Sequence, residues 1–152
     1  MTEIKTAGVI GLGALGTLYA HLLTEALGKD RVLVLADQAR TERYRKNALF
    51  FNREPCDFNY TDAATVTEPV DLLLFAVKFG GLESAIQTCR HLVGPDTTVV
   101  SVLNGITSEE VLAQAYGREK SVWCVAQKMS AVTEGNHATI SPFGELALGV
   151  PA

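Results

Sequence analysis

The stretch that most constrains this chain is Gly8-Val9-Ile10-Gly11-Leu12-Gly13-Ala14-Leu15-Gly16. Ala7 to Ile10 reads as a short buried strand, and it runs straight into Gly11-x-Gly13-x-x-Gly16 and then into a helical pattern. Each glycine has a job in a dinucleotide site. Gly11 permits the tight strand-to-helix turn, Gly13 lets a pyrophosphate approach the backbone, and Gly16 lets helix and strand pack closely. The free N–H groups and the positive end of the helix then face the phosphates.

The context strengthens the motif. Leu15, Leu18, Tyr19, Leu22, Leu23 and Ala26 form one apolar helical stripe, and Gly28 offers a stop. A second apolar run, Val32 to Ala36, ends at Asp37, about 20 residues past the motif, where an acid meets a ribose 2′-hydroxyl. His21 falls off the stripe and is expected to face solvent.

At 152 residues the chain is the size of one domain, and 47% hydrophobic against 20% charged residues is a globular balance. A net charge of −4 argues against a nucleic-acid surface. With no long apolar run and no signal-peptide pattern at the start, no membrane span is expected and the location expected is cytoplasmic. Cys56, Cys89 and Cys124 share no repeated spacing and read as small buried or half-buried apolar residues, not as a disulfide framework or metal site. His21, His91 and His137 are equally scattered, and no metal is expected.

Further along, a basic helical stretch runs from Arg40 to Asn47. Arg40 lies three residues past Asp37, where an adenosine ribose or its 2′-phosphate would sit. Ala48–Phe51 and Asp57–Tyr60 flank Asn52–Cys56 as a small hairpin in the crossover. Val70–Val77 is a nearly unbroken apolar strand, as parallel strands covered on both faces are, and it ends at Lys78. A helix from Leu82 to Val93, a strand from Thr97 to Leu103, then Asn104-Gly105 follow; Thr107 or Ser108 can cap the next helix, with Glu109 and Glu110 in its first turn. Ser121–Ala126, Ala138–Ile140 and Glu145–Leu148 are expected to finish the sheet. The alternation gives an α/β fold, a doubly wound, mostly parallel Rossmann sheet with helices on both faces and antiparallel strands near the C-terminus. Lys78 and Asn104 then reach its carboxyl edge, where such sheets bind ligands.

Four groups of residues, in this order and spanning nearly the whole chain, resemble the cofactor domain of the ketopantoate reductase (2-dehydropantoate 2-reductase) family. They are Gly11-Leu12-Gly13-Ala14-Leu15-Gly16, Val77-Lys78, Leu103-Asn104-Gly105-Ile106, and Ser130-Ala131 ahead of Glu134-Gly135-Asn136. The resemblance implies an NADPH-dependent oxidoreductase that reduces ketopantoate, a small 2-keto acid, to pantoate on the route to pantothenate and coenzyme A. It implies that Gly11, Leu12, Gly13, Ala14, Leu15 and Gly16 hold the pyrophosphate. Lys78 and Ala131 would line the cofactor, and Asn104, the catalytic residue of this stretch, would touch cofactor and substrate. The family's acid lysine belongs to a helical substrate domain that would begin just after Ala152. Residues 1–152 are therefore expected to be the dinucleotide-binding domain, binding nucleotide without turning over alone.

One departure concerns the cofactor. Where NADPH-using members place an arginine after the second strand, this chain has Asp37, which favours NAD, while Arg40 is in reach of a 2′-phosphate. The choice between NADP and NAD stays open, as does a homodimer. Two other readings remain: the cofactor half of a 6-phosphogluconate or glycerol-3-phosphate dehydrogenase relative, and a stand-alone NAD(P)-sensing module.

Overall fold

The computed structural model describes residues 3–103, 107–141 and 143–149. In chain order the elements are β1 (Ala7–Ile10), α1 (Ala14–Leu27), β2 (Val32–Ala36), α2 (Gln38–Lys46), β3 (Phe50–Phe51), β4 (Glu54–Pro55), β5 (Asn59–Asp62), β6 (Leu72–Phe75), α3 (Leu82–Thr88), β7 (Thr98–Ser101), α4 (Thr107–Tyr116), β8 (Ser121–Gln127), β9 (Ala131–Glu134), β10 (His137–Ile140) and β11 (Glu145–Gly149). The main sheet has the order β11-β8-β7-β6-β1-β2-β5. Every neighbouring pair is parallel except β8 with β11. The chain works outward from β1 to β2 and β5, then returns to β6 on the other side. The topological switch point therefore lies between β1 and β6, in register from Ala7↔Leu72 to Ile10↔Phe75.

Alternation along the central strands builds two cores, one on each face. Ile10, Leu35, Leu73 and Phe75 pack under α3 and α4 with Leu82, Ile86, Leu92 and Leu112. Val9, Val34, Leu74 and Val100 pack on the other face under α1, with Leu18 and Tyr19. Truncating a side chain as buried as Leu18, to alanine, costs about 2–5 kcal/mol in such a setting.

Four expectations are corrected. Ala138–Ile140 does not join the main sheet. It is the core of β10 in a separate four-stranded sheet, β4-β3-β10-β9, in which Ala138 and Ile140 are buried and His137 and Thr139 are exposed. This small sheet lies over the outer side of α1, so the helix is covered on two sides. That explains why Gly16, Thr17, Leu18, Tyr19 and Ala20 are buried consecutively, which a single apolar stripe does not allow. It also moves His21 from the expected solvent face to a half-buried position, with its ring centroid 4.8 Å from that of Phe51.

A further correction concerns the crossover hairpin. Asn52 and Arg53 both have positive φ (48° and 72°), so β3 turns back within two residues and pairs with Glu54–Pro55. Asn59–Asp62 is thereby released from the hairpin and becomes β5, the parallel edge of the main sheet beside β2. The helix expected to run from Leu82 to Val93 stops at Thr88 and tightens into a 3₁₀ turn at Arg90–Leu92.

Candidate dinucleotide site

Two of the three motif glycines are demanded by the fold itself. Gly11 has φ +101°, and a Cβ there would lie 2.6 Å from the backbone of Ala76 and Val77, where the chain leaves β6. A Cβ on Gly16 would overlap the carbonyl oxygen of Gly11. These contacts draw the start of α1 against β1 and the exit of β6. Gly13 is different. Its φ of −75° and ψ of −162° suit any residue, and a Cβ there would meet nothing within 4 Å. Nothing in the described fold requires glycine at position 13; the space it keeps clear is the space in front of the helix.

That space is a cleft of about 390 Å³ at the switch point. Gly13, Ala14 and Leu15 form one wall, Ala76, Val77 and Lys78 the second, and Val102 and Leu103 at the exit of β7 the third. Gly13 is the N-cap of α1 and supplies no side-chain cap, and the first turn carries no acid. The first helical bond is Thr17 N–H to the Gly13 carbonyl at 3.0 Å, so the N–H groups of Ala14, Leu15 and Gly16 have no acceptor among the described residues. Three donors and the positive helix end thus converge where an anion would rest. Lys78 is exposed and is the one cation lining the cleft among the described residues.

Asp37 lies on the same rim, at the exit of β2. It is the N-cap of α2, with Oδ1 accepting the Arg40 N–H at 2.8 Å. Arg40 stands exposed in the first turn of α2. Ala131 stands apart from the cleft walls, exposed at the start of β9 in the small sheet. Asn104 falls outside the described residues.

The ends flanking Asn104 are nonetheless pinned. Leu103 N–H donates to Ser101 Oγ (3.2 Å), Ser101 Oγ–H to Ser108 Oγ (3.0 Å), and Ser108 Oγ–H to Glu109 Oε2 (3.2 Å). All three side chains are buried. The sequence offered Ser108 as a cap and Glu109 as a dipole acid; their burial together with Ser101 was not legible. Nor were Val102 and Leu103 read as cleft wall, because apolar strand residues carry no signal of which strand end they border.

The cysteines behave as expected. Cys89 and Cys124 are buried, Cys56 is half-buried, and all are free. Burial pushes the Cys56 and Cys124 thiols up to about 11 and Cys89 to about 12, so they stay protonated near neutral pH. Among the described residues no cluster of three His, Cys, Asp or Glu side chains forms a metal site. No described helix is long and apolar enough to cross a membrane.

Comparison with known proteins agrees with this geometry. The family model described as "Ketopantoate reductase PanE/ApbA" matches residues 7–152. The 2-dehydropantoate 2-reductase of Aquifex aeolicus is 24% identical over 145 residues, covering 95% of this chain and 46% of that protein. A crystal structure of 2-dehydropantoate 2-reductase from Geobacter metallireducens aligns with TM-score 0.76 and 26% identity over 95% of this chain and 49% of that one. A D-mandelate dehydrogenase in complex with NADH shares the fold, with TM-score 0.76 and 23% identity over 94% of this chain and 46% of that one. The chain spans about half the length of the relatives it matches.

Proposed function

The chain belongs to the ketopantoate reductase family, and from that premise we propose that it is the cofactor-binding half of a 2-dehydropantoate 2-reductase. In this reading it holds a nicotinamide dinucleotide for reduction of ketopantoate, a small 2-keto acid, to pantoate, as part of a cytoplasmic enzyme. The carrying observation is Gly13. The fold leaves that position free, yet it is glycine, and it opens on a cleft with three unpaired N–H donors behind it and the Lys78 ammonium beside it.

The residues present fit the dinucleotide. The N–H groups of Ala14, Leu15 and Gly16 would receive the pyrophosphate, and Lys78 would hold a charged or hydroxyl group of the cofactor across the cleft. When bound, the nicotinamide supplies a hydride to the substrate ketone. The chain's part is to orient it and to place donors where negative charge grows on the ketone oxygen. By resemblance that donor is the Asn104 amide, and Ala131 contacts the cofactor. An amide both donates and accepts, so one side chain can serve ribose and substrate together. By the same resemblance the remaining substrate contacts and the acid belong to a helical domain outside this stretch, so residues 1–152 on their own would bind cofactor without turnover.

Calorimetric titration with NADH and NADPH, followed by an absorbance assay with ketopantoate, tests this. Saturable binding without oxidation of the cofactor is the expected result. Absence of binding to either dinucleotide would remove the premise, and steady turnover would overturn the division of labour.

A further inference from the structure

The rim that carries the glycine loop also carries a second, separate commitment, at Asp37. Strands β1 and β2 are parallel neighbours with Ile10 opposite Leu35, so Asp37, two residues beyond, emerges level with the glycine loop. A dinucleotide whose pyrophosphate rests on α1 has one end over the β1/β6 cleft. The other end, its adenosine ribose, passes over the exit of β2. Asp37 is the residue waiting there.

Its carboxylate is not free to swing aside. Asp37 has extended backbone (φ −70°, ψ 170°), and its carbonyl accepts the Thr41 N–H at 2.9 Å while Oδ1 accepts the Arg40 N–H at 2.8 Å. Turning the carboxylate away uncaps α2, a loss of the kind that destabilises a helix start. One oxygen is occupied by the cap, and the other remains an acceptor. Hydroxyl groups, which donate, are its natural partners; phosphate oxygens, which only accept, are not.

The same cap removes the feature a 2′-phosphate would use. The positive N-terminus of α2 is the nearest anion-attracting element at the exit of β2, and Asp37 already fills it with a carboxylate. A second anion arriving there meets a fixed like charge. The neighbouring cations do not reverse this. Arg45 is tied down, donating from Nη2 to the Tyr60 carbonyl at 2.8 Å. Arg40 spends its backbone N–H on Asp37, and its guanidinium forms no ion pair with that carboxylate within 4.0 Å. The Arg40 and Arg43 side chains on α2 are left to compensate, from exposed positions where solvent and salt screen them.

We infer that Asp37 makes this site selective for a dinucleotide with an unsubstituted adenosine ribose, so that the chain takes NAD(H) in preference to NADP(H). The inference rests on the proposed cofactor role and deepens it. Asp37 acts twice, as acceptor for the ribose hydroxyls and as a charge that rejects the 2′-phosphate.

The test uses the chain as it stands and reads binding, not turnover. Fluorescence titration compares NADH with NADPH, and displacement compares 5′-AMP with adenosine 2′,5′-bisphosphate, which isolates the ribose from the nicotinamide. Wild type is expected to bind the unphosphorylated member of each pair at least roughly tenfold more tightly at low salt, with the gap narrowing as salt rises. Asp37→Asn retains a good helix cap and a neutral acceptor but loses the charge. It is expected to bind NADPH more tightly than wild type does and to narrow the preference to within about threefold, with an unchanged melting temperature. Wild type that binds NADPH as well as NADH, or an Asp37→Asn variant with the wild-type preference, overturns the inference. A folded wild type that binds none of the four ligands overturns the dinucleotide reading and this inference with it.

Discussion

At the amino rim of the main sheet the polar groups close on one another, whereas at the carboxyl ends of β1 and β6 they are left facing a cleft. Before β1 and β6, Asp71 Oδ2 accepts the N–H groups of Lys5 (2.8 Å) and Thr6 (3.1 Å), and Asp71 N–H donates to Thr6 Oγ1 (3.0 Å). Before β7, Thr97 Oγ1 accepts the Gly94 N–H (2.9 Å) and donates to the Val70 carbonyl (2.6 Å). Beyond β1 and β6, the first N–H groups of α1 have no described acceptor and Lys78 has no described ion pair. The amino rim spends its hydrogen bonds on holding strands together, and the carboxyl ends of β1 and β6 keep their donors for something else. Mutations at the two rims should therefore separate binding from stability.

The largest separation is expected at Gly13. Because a Cβ there meets nothing, Gly13→Val should melt within a few degrees of wild type, yet its side chain fills the approach to the α1 N-terminus. Calorimetry should show NADH affinity reduced by at least ~10²-fold, of the order of losing the charge-assisted bonds to the pyrophosphate. Near-wild-type affinity in the folded variant would break the comparison at its strongest point.

The mirror-image variant is Thr97→Val, on the closed rim. The side chain keeps its shape but leaves the Val70 carbonyl and the Gly94 N–H without their partner in a buried setting. Urea denaturation should report a loss of about 1–3 kcal/mol, with NADH affinity unchanged. Lys78→Ala should do the reverse, weakening dinucleotide binding by up to about 1–3 kcal/mol at unchanged stability, since its exposed ammonium supports no strand.

The rims also differ in how far the sequence disclosed them. The glycine loop was legible because its constraints are local: Gly11 and Gly16 sit against backbone a few residues away or at the next strand exit. The central strands were legible because burial on both faces leaves unbroken apolar runs such as Leu72–Phe75. The small sheet was not. Strands β3 and β4 are two residues long and β9 is exposed along its whole length, so only Ala138 and Ile140 in β10 carry the pattern, and which helix they cover is a tertiary fact. Asp37 was legible as an acid at a strand end, but not as the cap that fixes its carboxylate, although an aspartate ahead of a helix is a cap signal in its own right. The Ser101–Ser108–Glu109 chain joins residues on a strand and the following helix, and no spacing rule announces such a buried contact.

The smallest effect, and the finest check on the division between rims, is the pH dependence at Asp71. The bond from the Lys5 N–H, reinforced by the bonds from Thr6, holds its carboxyl below the usual carboxylate value against a partial opposing effect of burial. A carboxyl lowered in the folded state contributes stability that is fully present above its unfolded value, about 3.9, and is lost as the pH falls through the lower folded value. Wild type should therefore lose melting temperature more steeply than Asp71→Asn as the pH is taken from about 5 toward 2, while the two run nearly parallel above pH 5. The group is largely solvent-screened, so the difference should stay below about 1 kcal/mol. At pH 7 the variant should bind NADH as wild type does, because Asp71 stands at the opposite end of β6 from Lys78. A variant that lost affinity there would show that tension at the closed rim is transmitted along β1 and β6 to the open one, and the two rims would have to be treated as a single coupled unit.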